Sequence, residues 1–357
     1  MVVSAKITGI KYSPFLCRTL KTYFIEDLSN AFSHDGTFIL QIDNNTQVAV
    51  SWWISPKRTR SYPYARVYDS LNFQGKKVTI IPVMKDEGKD GDRDFLQWDT
   101  ISLMSLLGVY TIIAYYVDAE KNLKFKNKIT NQKFDINYIK NNLKEIRYFQ
   151  SDALHWNLSQ IDRIGEIANR ALQSYEIISK NLKISMHSTM TVERRIQELV
   201  KSKDSFMNLS RDLARKAQHR ELVTNQPKEK LIGKKAILNI KNFLGGQYFF
   251  TCDEVFIMDN SIYLIEGKHS KQSILPSLED IKDGLLKMIL FTNLKDVKVN
   301  EKKYNPSPIL KLTTDKKLIK GTLPPIKIQY LKLLNKESTV NNFHVKINDI
   351  DLNDILT

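Results

Sequence analysis

The sequence predicts a mixed α/β protein, on three observations. Short β-branched and aromatic runs bounded by turn residues recur through residues 1–136, and from 137 to about 218 the apolar residues fall instead at spacings of three and four. Residues 252–271, CDEVFIMDNSIYLIEGKHSK, then read as a β-hairpin leading into a helix. A chain of 357 residues suits two domains, or one large domain with an appendage. The expected organisation is an N-terminal α+β region over 1–136, a helical connection over 137–224 and a hairpin-bearing domain over 225–357.

Composition narrows the partner. Lys and Arg number 54 against 39 Asp and Glu, a formal charge of +15, which favours a polyanion, nucleic acid first. A general richness in Lys, Asn and Ile is the bland alternative. The excess is steepest in residues 151–250, with 17 basic and 10 acidic side chains. Two cysteines, Cys17 and Cys252, exclude a disulfide framework and a four-cysteine zinc site, and fit a reducing cytoplasm. The N-terminus lacks a secretory apolar region, and the longest apolar run, 101–117, is broken by Ser102, Ser105, Gly108 and Thr111, so no membrane span is expected.

In chain order, 24–32 suits a short helix, and 37–42 and 47–54 suit strands around a turn at 43–45. The segment SPKRTRSYPYARVYDSL interleaves Lys57, Arg58, Arg60 and Arg66 with Tyr62, Tyr64 and Tyr68. Pro56 and Pro63 are expected to hold it out of helix. Basic side chains mixed with tyrosines suit phosphate contact, base-edge readout or stacking, and Lys57, Arg58, Arg60 and Arg66 are the candidate DNA-binding residues. The competing reading is a solvated basic loop with its tyrosines turned inward. Residues 78–84 read as a strand, followed by the acids Asp86, Glu87, Asp90, Asp92, Asp94 and Asp99. An EF-hand loop starting at Asp90 fails, because its sixth residue is Phe95 and its twelfth Ile101. Asp94 and Asp99 remain a possible second metal site, against a simpler acidic loop that answers the basic one.

Residues 109–117 form a strand by their Val, Ile and Tyr content, and 121–133 a basic loop or hairpin. Ile139, Leu143 and Ile146, and then Leu158, Ile161, Ile164, Ile167, Ala168, Ala171 and Leu172, set helical stripes, with another helix starting at Thr191. His155, His187 and His219 are scattered, with no spacing for a zinc helix. After a break at Pro227, Leu231, Ile232, Ala236, Ile237, Ile240 and Leu244 predict a helix over 228–244, closed by Gly245 and Gly246. Beyond the hairpin, Ser277 is placed to cap a helix bearing Ile281, Leu285, Ile289 and Leu290. Strands are expected at 297–299 and 326–331, and a short strand with a polar tail over 340–357.

The hairpin carries the chemistry. Asp259 and Asn260 tolerate positive φ and suit a tight turn. Pairing Met258 with Ser261 then sets Asp253 opposite Glu266, about 5 Å apart at Cβ, with Lys268 on the same face about 6.6 Å further along. Val255 with Leu264 and Ile257 with Ile262 extend that face as an apolar stripe. Two carboxylates opposite one another are destabilising, more so when buried, and a divalent cation would relieve both costs. The ordinary alternative is a hairpin whose acids fray into solvent and pair with Lys268.

Asp253 on one strand and Glu266-Gly267-Lys268 on the next, between helices, resembles the core of the PD-(D/E)XK nuclease superfamily. With a separate Arg- and Tyr-rich region, the chain looks most like a type II restriction endonuclease. The resemblance covers roughly residues 228–300, and Cys252 stands where the motif's name has Pro. It implies a central mixed β-sheet flanked by helices, Mg²⁺ as cofactor, double-stranded DNA as partner and a homodimer. By it, Asp253 and Glu266 would ligate Mg²⁺, with Glu229 (or Glu221) adding a carboxylate from the preceding helix. Lys268 would orient or activate the attacking water, and His269 and Lys271 would reach the DNA backbone. The rival functions are a structure-specific repair or recombination nuclease and a non-catalytic DNA-binding protein.

Overall fold

The computed structural model describes residues 1–57, 59–188, 190–193, 234–242, 247–316 and 323–357. The chain divides into two units, Met1–Arg18 with Arg211–Thr357, and Thr19–Ser210. The first strand, β1 (Val2–Ile7), buries Val3, Ala5 and Ile7 and exposes the residues between them, the period of a strand covered on one face. It belongs to the unit formed with the C-terminal part. The sequence placed it in an N-terminal region ending at 136, and that boundary is corrected.

The second unit is built from β2 (Thr22–Phe24), α1 (Leu28–His34), β3 (Thr37–Asp43), β4 (Thr46–Trp52), α2 (Ser61–Ser70), β5 (Lys76–Pro82), β6 (Met84–Asp86), β7 (Arg93–Phe95), α3 (Trp98–Leu106), β8 (Val109–Ala114), β9 (Tyr116–Lys121), β10 (Ile129–Phe134), α4 (Ile136–Tyr148), α5 (Ala153–Asp162) and α6 (Ile164–Leu182). Its main sheet runs β2-β3-β4-β5-β8. The antiparallel pair β3–β4 is the expected hairpin, and β4, β5 and β8 run parallel. The near-continuous burial of β5 and β8 is what a parallel sheet covered on both faces requires.

Two expectations fail here. Pro63 does not exclude helix: it is the third residue of α2, in the first turn, where a backbone N–H has no intrahelical partner to lose. Nor do 137–182 merely connect domains. The buried stripes Ile139, Leu143, Ile146 of α4 and Ile164, Ile167, Ala171 of α6 pack these helices on β8 and β9. Trp156 of α5 donates to the Thr111 carbonyl at 2.9 Å and Asn157 Oδ1 accepts from the Thr111 amide at 2.7 Å. Most of the helix expected from Thr191 lies outside the described residues.

The first unit continues with β11 (Lys234–Asn242), β12 (Gln247–Met258), β13 (Ser261–Ser270), α7 (Leu278–Phe291), β14 (Lys295–Val299), β15 (Lys302–Lys303), β16 (Asn305–Thr314), α8 (Pro325–Asn341), β17 (His344–Ile347), β18 (Ile350–Asp351) and α9 (Leu352–Leu356). One sheet joins its strands in the order β15-β14-β1-β11-β12-β13-β16-β17-β18. It is mixed: β1 is parallel to β11, β11, β12 and β13 alternate, and β13, β16 and β17 run parallel. Only Tyr304 separates β15 from β16, so the sheet curls to bring its two regions within one residue of each other.

Two elements change type. Residues 234–242 are a strand, not part of a helix over 228–244. Ala236, Leu238 and Ile240 are each fully buried while Lys235, Ile237 and Asn239 are less so, and this period of two prevails once β1 and β12 flank the segment. Residues 228–233 and the glycines Gly245 and Gly246 lie outside the described residues. Residues 326–331 are helix, not strand. Leu331, Leu334, Glu337 and Ser338 form the buried stripe of α8, and Pro325 occupies its first turn, a position suited to Pro.

Candidate active site

The β12–β13 hairpin turns at Asp259, which has φ +54°, and pairs Met258 with Ser261, Ile257 with Ile262 and Val255 with Leu264. This is the predicted register. The ladder ends at Glu254 opposite Ile265, so Asp253 is not the cross-strand partner of Glu266. On its other edge β12 pairs Val255 with Lys234 and Cys252 with Ala236, which leaves Asp253 and Glu254 together facing Lys235. That extra residue is a β-bulge, a device that re-aims a side chain. Asp253 Oδ2 accepts a hydrogen bond from the Gly267 amide at 2.9 Å, so the peptide between Glu266 and Lys268 itself holds Asp253 beside them.

The face beneath the site is apolar at Val255, Leu264 and Ile262, all buried, but Ile257 near the tip is 36% exposed, a correction to the expected stripe. Helix α7 covers Glu266 and Lys268. It starts where Ser277 Oγ accepts from the Asp280 amide at 3.1 Å, the predicted cap. It buries Ile281, Leu285, Ile289 and Leu290, as the stripe required. Gly284 permits its close approach: a Cβ there would stand 2.6 Å from Leu310 Cδ1 and 3.4 Å from Lys268 Cε. The approach brings Asp283 and Lys287, one helical turn apart, onto the hairpin.

Five charged side chains meet there. Glu266 is 1% exposed, and each of its oxygens accepts from an ammonium, Oε1 from Lys268 at 2.9 Å and Oε2 from Lys287 at 2.7 Å. Lys268 also donates to Asp283 Oδ2 at 2.5 Å. Burial works to raise the Glu266 carboxyl, but Lys268 and Lys287 outweigh it and hold it below the usual range. Burial likewise opposes charge on both lysines, and the surrounding carboxylates overcome it, so both sit above their ordinary value and remain cationic. Asp283 is raised, by burial before all else. Cys252, buried and donating to the Glu254 and Ile265 carbonyls at 3.3 Å, is kept a thiol by burial and by Asp253 and Glu266.

The structure therefore brings together Asp253, Glu266 and Lys268. The other sequence-designated residues fall elsewhere. His269 neighbours Lys268 on β13 and so points to the other face of the sheet, where its Nδ1 lies 2.9 Å from Thr313 Oγ1. Lys271 is exposed just beyond β13, Arg60 is exposed just before α2, and Arg58, Glu229 and Glu221 lie outside the described residues. Lys57 lies 3.9 Å from both Asp92 and Asp94, and Ser55 Oγ donates to Asp94 at 2.8 Å, so acidic and basic loops do answer each other. Arg66 is built into the fold: its guanidinium lies 4.5 Å from the Trp52 ring and 4.9 Å from the Tyr62 ring, and it donates to the Trp52 carbonyl at 2.7 Å.

Sequence reasoning missed Asp283 and Lys287. Their signal was a carboxylate and an ammonium at i and i+4 within the otherwise apolar run DGLLKMIL. As donors for a metal the site offers Asp253 and Glu266, and the described residues hold no group of three or more His, Cys, Asp or Glu side chains arranged for one. That set does not suit the many oxygen ligands Ca²⁺ takes, but it is compatible with Mg²⁺, which keeps several waters and needs only one or two carboxylates. Among the described residues no helix is long and apolar enough to cross a membrane. No protein-family model, curated protein or solved structure matches the chain.

Proposed function

We propose that the protein is a Mg²⁺-dependent endonuclease of double-stranded DNA with a PD-(D/E)XK-like core, acting as a site-specific restriction enzyme. The observation that carries the reading is the convergence of Asp253, Glu266 and Lys268 on a hairpin at the edge of a buried apolar face, under a helix that follows the hairpin in sequence. Clustered acids and lysines in a largely buried site are otherwise costly, and phosphodiester hydrolysis has a use for Asp253, Glu266 and Lys268 together. Asp253, fixed by the Gly267 amide, and Glu266, through lone pairs left by its two ammonium partners, would hold Mg²⁺. The chemistry such an ion would supply is polarisation of a phosphate oxygen and a lowered pKa for a water.

Lys268 is no general base, because its neighbours hold the proton on it. Two of its three donors serve Glu266 and Asp283. The third is available to the attacking water or to a phosphate oxygen, where its charge offsets the growing negative charge of the transition state. Asp283 fixes that ammonium in place. The basic excess of the chain, +15, supplies the general attraction to DNA. The DNA-contact roles of Lys57, Arg58, Arg60, Arg66, His269 and Lys271 and the homodimer belong to this proposal, and Arg60 and Lys271 are exposed, as a phosphate contact requires.

The test is Lys268→Ala. It is expected to lower cleavage of duplex DNA by at least about 100-fold while leaving DNA binding in a gel-shift assay close to wild type. Cleavage at the wild-type rate would remove Lys268 from the mechanism.

A further inference from the structure

Lys287 has no part in the reading above, yet it shares Glu266 equally with Lys268. It comes from α7, between Leu286 and Met288, both buried, one turn after the buried Asp283, in a helix whose other buried residues are mostly apolar. A lysine brought into such a face is costly unless carboxylates compensate. Here they do: Nζ lies 2.7 Å from Glu266 Oε2, and Asp253 and Asp283 are near enough for their charges to act on it. The ammonium is thus bonded to Glu266 and held charged by all three carboxylates of the site.

Resting on that nuclease reading, we propose that Lys287 is a positioning residue whose ammonium supplies the positive charge a second metal ion would otherwise bring, so that the site works with a single divalent cation. Charge counting gives the reason. Asp253, Glu266 and Asp283 contribute at most three negative charges, and Lys268 and Lys287 contribute two positive ones. One divalent ion turns a net charge of −1 into +1, which matches the single negative charge of a DNA phosphodiester. A second divalent ion would leave +3 in the site, beside two ammonium groups already bonded to Glu266. Lys287 also acts through Glu266: by holding Oε2 at 2.7 Å it helps fix the carboxylate that Lys268 holds at Oε1. A second ammonium supplies charge without exchangeable waters, so the nucleophile has one source.

The experiment counts Mn²⁺ bound to the full-length chain in the absence of DNA, from the electron paramagnetic resonance signal of the free ion, and sets it beside cleavage rates. The expected result is one Mn²⁺ per wild-type chain, lost in Asp253→Asn. Lys287→Gln is expected to cut at a rate lower by about 100-fold at saturating Mg²⁺, with DNA binding unchanged, and Lys287→Arg to recover most of that loss. Should Lys287→Gln fail to fold, the wild-type stoichiometry and the Lys287→Arg rate decide. Two ions per wild-type chain with active cleavage overturn the role of Lys287 and leave the nuclease reading standing, as does wild-type cleavage by Lys287→Gln. No bound ion and no cleavage by the wild-type chain overturn both.

Discussion

Glu337 shows how this protein accommodates a buried charge when no chemistry is asked of it. The residue is fully buried, and its carboxylate accepts from the Tyr12 hydroxyl at 2.7 Å and from the Phe15 and Leu16 amides at 2.8 and 3.1 Å. Burial, then Glu337, pushes the Tyr12 hydroxyl well up, so it stays a donor. Removing the carboxylate strands these donors. Glu337→Ala is therefore expected to destabilise the unit by about 3 kcal/mol and Tyr12→Phe by about 1 kcal/mol, read as loss of hydrogen-exchange protection in β1 and β11. Equal protection in Glu337→Ala and wild type would contradict it. Glu266 differs from Glu337 in its partners: two ammonium groups from separate elements replace amides from one segment. At this scale the sequence named Asp253, Glu266 and Lys268 because residue type and spacing survive folding unchanged. It could not show that Arg66 is stacked on Trp52 and Tyr62 while Arg60 is exposed, since both are arginines in one basic run and only the packing of α2 separates them.

Elements were legible where one period excluded the other. The turn at Asp259, the register from Met258 to Val255 and the cap at Ser277 follow from local chemistry that tertiary contacts do not alter. The segment 234–242 satisfies both a helical and a strand pattern, and its neighbours β1 and β12, distant in sequence or of uncertain pairing, decide it. The bulge at Asp253 and Glu254 was invisible because the turn fixes a register only until an extra residue enters one strand. In the second unit, Glu87 ties neighbouring elements together, its oxygens 2.7 Å from Lys85 and 2.9 Å from Lys128. Burial would raise its carboxyl, but the two lysines outweigh burial and hold it below the ordinary range. A depressed carboxyl contributes stability that is present above its unfolded value, about 4.3, and is lost as pH falls through the lower folded value. Glu87→Gln is accordingly expected to lower the melting temperature of the second unit at pH 7, with the difference from wild type shrinking as the pH is taken below about 4. A difference that stays constant or grows on acidification would contradict this.

On the scale of the molecule, the first unit is assembled from both ends of the chain, with β1 inserted between β11 and β14, and the second unit lies between them in sequence. A reading that moves along the chain assigns neighbours to one domain, which is why residues 1–18 were placed with the region that follows them. The mixed α/β class, by contrast, depends on the alternation of elements and was legible throughout. In the proposed function this assembly sets Asp253, Glu266 and Lys268 around one phosphodiester. Its most direct test is digestion of a long plasmid of known sequence with purified wild-type protein, Asp253→Asn and Glu266→Gln, each with Mg²⁺ and with EDTA. Discrete fragments are expected from the wild-type protein with Mg²⁺ and not with EDTA, and intact plasmid from both variants. Intact plasmid with the wild-type protein in Mg²⁺, or wild-type fragments from both variants, would contradict it.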